Sequence, residues 1–128
     1  MTDTKKTILI VEDEVDLRSL LKMKLENEGF TVLEAENGKT GLDSALSLHP
    51  DMILLDIIMP IMDGLSTLRE LRKDAWGKNA SVLILSNLSK AEKINEGLEG
   101  NVYGYLIKSD GEPDNIVELI RKKFAESK

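Results

Sequence analysis

The sequence predicts an α/β fold: five parallel strands, each followed by a helix, wound on both faces of a single sheet in the strand order 2-1-3-4-5. Three observations lead there. Short unbroken apolar runs recur at 8–11, 52–55 and 82–85, and such runs read as strands buried on both faces, the habit of parallel sheets. Between them the apolar period lengthens, as in Leu17, Leu20, Leu21 and Leu25, which lie on one face of a helix. The chain has 128 residues, enough for one domain with a substantial core. Strands alternating with helices imply right-handed crossovers and a sheet covered on both sides. Five such units give the order 2-1-3-4-5.

Thr7 to Val11 is the first strand, rich in β-branched residues, and it ends in Glu12-Asp13-Glu14. The first helix follows from about Asp16, with Lys22 and Lys24 facing away from its leucines and Gly29 as a natural stop. Phe30 to Ala35 alternates apolar and polar, as a strand nearer an edge does. Asn37-Gly38 reads as a turn. Leu42, Ala45, Leu46 and Leu48 make the face of the second helix, which His49-Pro50 closes. Met52 to Leu55 is the central strand and runs straight into Asp56. Pro60 and Asp63-Gly64 mark the turn after it, and a third helix spans about Leu65 to Lys73 with Leu65, Leu68 and Leu71 inward. Asp74 to Asn79 reads as loop. Ser81 to Leu85 is the fourth strand, ending at Ser86. Ala91 to Leu98 is the weakest helix, with only Ala91, Ile94 and Leu98 apolar. Gly104 to Ile107 is the fifth strand, ending at Lys108. Pro113 suits a first helical turn, and Ile116, Val117, Ile120 and Phe124 line the last helix.

Composition narrows the function classes. The formal net charge of −6 argues against nucleic acid or an anionic membrane as the main partner. The chain contains no cysteine, which excludes disulfides, thiolate catalysis and Cys-based zinc sites. The N-terminus lacks the pattern of a signal peptide and no apolar run approaches membrane-spanning length, so a cytoplasmic protein is expected.

An acid at the exit of a fully apolar strand is out of place as packing. The order 2-1-3-4-5 sets strand one beside strand three, and their exits meet at the topological switch point where ligands bind in such sheets. Glu12 and Asp13 thereby come next to Asp56, while Ser86 and Lys108 reach the same rim. Carboxylates crowded there repel: two unit charges about 4 Å apart cost about 4 kcal/mol at an effective dielectric near 20. A hard divalent cation such as Mg²⁺ offsets this, since it takes one or two carboxylates, waters and phosphate oxygens. Lys108 adds a compact positive charge. An ionised Asp56 is then a nucleophile toward phosphorus, forming an aspartyl-phosphate. Cation, ammonium and the Ser86 hydroxyl would meet the charge on the phosphoryl oxygens.

Taken together, Ile-Leu-Ile-Val-Glu12-Asp13-Glu, the segment from Asp56 through Pro60 to Asp63-Gly64, Leu-Ser86 and Tyr105-Leu-Ile-Lys108 resemble the receiver domain of two-component response regulators, over essentially the whole chain. The resemblance implies the flavodoxin-like (βα)5 arrangement and one receiver domain over 1–128, with its core at about 6–125. It implies that Asp56 is the phospho-acceptor, taking its phosphoryl group from a sensor histidine kinase or a phosphotransfer protein. By the same resemblance the metal, Mg²⁺ or Mn²⁺, is held by Asp13 directly, by Glu12 mainly through water, by Asp56 and by the backbone carbonyl of Ile58. Lys108 matches the phosphate-binding lysine, and Ser86 and Tyr105 the switch positions. Phosphorylation would shift a population of states and reshape the face made by the fourth helix, fifth strand and fifth helix, toward a downstream protein or effector domain. This is a signalling domain with self-catalysed phosphorylation and dephosphorylation rather than an enzyme, a monomer or a phosphorylation-dependent dimer. Three departures stand out. Ser109 follows Lys108 where the family commonly has proline, and Asn87 follows Ser86 where a smaller residue is usual, which would narrow access to Asp56. Ile58 is apolar where some relatives are polar.

Other readings fit these residues less well. A flavin carrier of the same fold order needs a phosphate-cradling loop after strand one, and Glu12-Asp13-Glu14 would repel the phosphate. A Mg²⁺-dependent phosphatase wants a second acid close after the nucleophile, where Ile58 stands. A degenerate receiver used only for docking is opposed by the intact set of polar residues. Glu14 and Asp16 read as surface acids, Asp63 as a helix cap, His49 as structural or exposed, Trp76 as a half-buried loop anchor, and Arg121-Lys122-Lys123 as the basic end that complements a helix dipole.

Overall fold

The structure, a computed structural model, describes residues 6–56, 61–86, 104–107 and 113–126. Five strands form one parallel sheet in the order β2-β1-β3-β4-β5: β1 (Thr7–Val11), β2 (Thr31–Ala35), β3 (Met52–Asp56), β4 (Val82–Ser86) and β5 (Gly104–Ile107). The helices are α1 (Val15–Asn27), α2 (Gly38–Leu48), α3 (Gly64–Arg72) and α4 (Pro113–Glu126). α4 is the last helix of the sequence pattern, and the weak helix expected at Ala91 to Leu98 lies outside the described residues.

The apolar runs are continuous because each strand feeds two cores at once. Alternate residues point to opposite faces. Leu9, Val11, Ile53, Leu55, Val82 and Ile84 meet Leu42 and Ala45 of α2 and Leu68 and Leu71 of α3 on one side. Ile8, Ile10, Met52, Leu54 and Leu83 meet Leu21 and Leu25 of α1 and Ile116, Val117 and Ile120 of α4 on the other. Each such side chain, fully buried, contributes about 1.5–3 kcal/mol relative to exposure. The register is continuous across the sheet: Val11 pairs with Leu55, and Leu55 with Ile84. β2 lies at the edge, and its outer positions Thr31 and Glu34 are exposed.

Local chemistry sets the element ends. Gly29, at φ 97°, lets the chain leave α1 in a left-handed turn that most residues resist. Phe30 is not in β2. Its backbone N–H instead closes the end of α1 on the Leu25 carbonyl at 3.1 Å, and its ring packs on Phe124 with centroids 5.5 Å apart. Asn37-Gly38 is not a free turn. Asn37 is the N-cap of α2, its side-chain oxygen accepting from the Thr40 N–H at 2.9 Å, which satisfies a donor the first helical turn leaves orphaned. Leu48 is exposed rather than inward. Asp63 caps α3 as expected, accepting from the Ser66 N–H at 2.8 Å. The 74–79 loop contains a 3-10 turn at Gly77–Asn79, and Arg72 organises it by donating to the carbonyls of Gly77 at 2.7 Å and Ala80 at 2.8 Å. Burial lowers the pKa of that guanidinium from its ordinary value. Trp76 is half-buried and stacks on His49 with ring centroids 4.2 Å apart. Among the described residues, no helix is long and apolar enough to cross a membrane.

Candidate functional site

β1 and β3 are neighbours because their apolar runs pair in register, and the pairing of Val11 with Leu55 sets the next residues, Glu12 and Asp56, at the same level. Neither can turn to solvent. Glu12 is 0% exposed and Asp56 3% exposed. Asp13, one residue further along the loop, is exposed. One carboxylate oxygen from each of Glu12, Asp13 and Asp56 lies within 4.8 Å of the others. The sheet edge therefore carries three acids in one cluster, two of them inside the protein.

The loop that carries Glu12 and Asp13 is tied at several points. The Glu12 N–H donates to the Ala35 carbonyl of β2 at 3.0 Å. Its Oε2 accepts from the Glu14 N–H at 3.0 Å. Arg18, on the first turns of α1, donates from a terminal guanidinium nitrogen to the Glu12 carbonyl at 2.7 Å and from Nε to Glu34 Oε1 at 3.2 Å. Arg18 is the residue that sequence reasoning missed. Its partner Glu34 is sixteen positions away on another strand, so nothing in the helical period marks it.

On the far side of Asp56 the chain returns through Ile61, Met62 and Asp63. Ile61 adopts φ 72° and is 80% exposed, an uncommon backbone state for a β-branched residue. The N-terminus of α2 holds this return closely: a Cβ on Gly38 would collide with the Met62 carbonyl oxygen and the Thr67 hydroxyl. Thr67 Oγ1 in turn donates to the Asp63 carbonyl at 2.8 Å.

Of the other expected site residues, Ser86 ends β4, where it pairs with Ile107, and Tyr105 pairs with Ile84 inside β5. Asp56 pairs with Leu85, so the backbone of Ser86 stands at the same strand exits as Asp56. The side chains of Ser86 and Tyr105, and all of Ile58, Asn87, Lys108 and Ser109, lie outside what the structure describes. Glu14 and Asp16 are exposed, as expected of surface acids. Trp76 and His49 belong to the opposite end of the sheet, before β4 and β3 begin.

The donor set fits a hard divalent cation. At 4.8 Å each pair of charges repels by about 3.5 kcal/mol at an effective dielectric near 20, and all three groups are oxygen donors of the kind Mg²⁺ accepts. Asp13 is exposed, so among the described residues the cluster reaches solvent on its side.

Comparison with known proteins agrees with this arrangement. The model of the response regulator receiver domain family matches residues 8–121. The transcriptional regulatory protein ResD of Bacillus subtilis is 38% identical over 111 residues, covering 84% of this chain and 44% of that protein. The nitrate/nitrite response regulator protein NarL of Escherichia coli is 36% identical over 121 residues, covering 93% of this chain and 55% of that protein. This chain thus spans about half the length, or less, of these curated relatives. The receiver domain of Francisella response regulator 1452 superposes with a TM-score of 0.84 at 30% identity, covering 97% of this chain and all of that one. By family match, sequence relatives and fold, the chain belongs to the receiver domains of two-component response regulators.

Proposed function

We propose that the 128 residues form one receiver domain in which Asp56 accepts a phosphoryl group in the presence of Mg²⁺ or Mn²⁺. The observation that carries this reading is the cluster of Glu12, Asp13 and Asp56 within 4.8 Å at the exits of β1 and β3. A carboxylate oxygen of Asp56 attacks phosphorus, the new O–P bond forms as the P–N bond of a donor phosphohistidine breaks, and the imidazole leaves with the electron pair. Burial in the sheet and pairing along β3 hold Asp56 in one position, so little orientation is left to acquire in the transition state. The bound cation would supply charge neutralisation at the phosphoryl oxygens. Glu12 and Asp13 would hold it, together with the carbonyl of Ile58. Lys108 and Ser86 would meet the remaining phosphoryl oxygens.

The donor is a sensor histidine kinase or a phosphotransfer protein, and the relatives' names as transcriptional regulators suggest an effector domain or separate protein as the target. Ser86 and Tyr105 would carry the change to the face of β5 and α4. A cytoplasmic location suits such partners.

Intact-mass measurement after incubation with a small phosphoryl donor and Mg²⁺ tests the reading. A gain of one phosphoryl group that requires Mg²⁺ and is absent in Asp56→Asn is expected. No gain, together with no amide shifts on adding beryllofluoride, would overturn it in favour of a docking module that is not phosphorylated.

A further inference from the structure

We infer that Arg18 is a positioning residue for the cation-holding acids. The inference rests on the reading of Glu12, Asp13 and Asp56 as the cation site. Arg18 touches none of their carboxylates in the contacts that define it. It grips the backbone beneath them, at the Glu12 carbonyl 2.7 Å away, and anchors that grip to Glu34 Oε1 at 3.2 Å. Glu34 pairs with Ile10 across the β1–β2 ladder. The guanidinium therefore ties the loop leaving β1 to the edge strand, while the Arg18 N–H holds the start of α1 to the Glu14 carbonyl at 3.0 Å. The Arg18 side chain is only 15% exposed, so the planar fork is held in place rather than sampled. A residue in this place fixes where the Glu12 backbone ends and hence where the carboxylates of Glu12 and Asp13 point, as outer-shell partners do for metal ligands.

The positive charge and the grip act in opposite directions on a bound cation. A guanidinium near the cluster repels the ion, so if charge were its whole effect, removing it would tighten binding. If positioning dominates, removing it weakens binding about tenfold, the scale on which outer-shell changes act. Arg18→Lys separates the two further, since an ammonium keeps the charge and cannot span both anchors with two planar nitrogens.

Mn²⁺ binding to the full chain, read by water-proton relaxation and displaced by Mg²⁺, tests this with Arg18→Ala, Arg18→Lys, Glu34→Gln and Asp13→Asn. Thermal melts of each variant check that it is folded. Weaker Mn²⁺ binding in Asp13→Asn, about tenfold weaker in Arg18→Ala, and clearly weaker in Arg18→Lys and Glu34→Gln is expected. Equal or tighter binding in the folded Arg18 variants, with Asp13→Asn weakened, would overturn the role of Arg18 and leave the cation site standing. Asp13→Asn indistinguishable from the parent would overturn the site and the inference together.

Discussion

Asp56→Asn should make the metal-free protein more stable, not less. The substitution keeps the shape of the side chain and removes a charge that stands inside the protein, 3% exposed, beside a Glu12 that is fully buried. Carboxylate oxygens within 4.8 Å of one another repel by about 3.5 kcal/mol per pair at an effective dielectric near 20. The repulsion from exposed Asp13 is reduced by water and salt. Asp56 also makes a further contact of its own, and its loss opposes the gain. Against about 1.5 kcal/mol for one such contact, the repulsion from Glu12 alone, about 3.5 kcal/mol, leaves a net stabilisation of about 2 kcal/mol. For a chain of 128 residues at about 2.1 cal/mol/K of unfolding entropy per residue, this raises Tm by about 7 °C. Mg²⁺ should act the other way round: at ten times its Kd it stabilises the parent by about 1.4 kcal/mol, and it stabilises Asp56→Asn much less. Circular-dichroism melts in chelator and in Mg²⁺ measure both. An Asn variant that melts at or below the parent in chelator would refute the claim that the cluster is held together against its own charge. An equal Mg²⁺ response in both would refute the claim that the ion sits at Asp56.

Four further outcomes follow from the packing. Gly38→Ala places a methyl group against the Met62 carbonyl, a backbone atom that cannot rotate away, and should cost about 1–3 kcal/mol in urea unfolding; an unchanged midpoint would show that the loop after Asp56 is free to shift. Leu54→Ala, fully buried between β3 and the α1–α4 layer, should cost about 3 kcal/mol, and Asp63→Ala about 1 kcal/mol through loss of the cap on α3, both read from the same unfolding curves. Trp76 emission should stay constant when Mg²⁺ and beryllofluoride are added, because the ring packs on His49 at the opposite end of the sheet from Asp56; a clear change would show that the loop before β4 responds to the site.

Among the described residues the order of elements was legible in the sequence because it depends on local pattern. Runs such as Met52–Leu55 have no polar face to show water and are too short for a buried helix, so they read as strands covered on both sides, and the leucines of α1 recur with the helical period. Asp56 stood out for the complementary reason: a carboxylate at the end of such a run is out of place as packing, and the fold buries it beside Glu12. What the tertiary structure decided is every relation between residues distant in the chain. Leu48, the last residue of α2, faces water because no neighbouring element covers it there, whereas the Asn37 cap on the Thr40 N–H is a local bond three residues long. The need for a small residue at Gly38 comes from the Met62 carbonyl and the Thr67 hydroxyl, which the fold brings against it. The contact of Arg18 with Glu34 exists only because folding carries the two together. Periodicity encodes which face of an element is apolar, and it carries no information about which polar groups two such elements bring together when those faces pack.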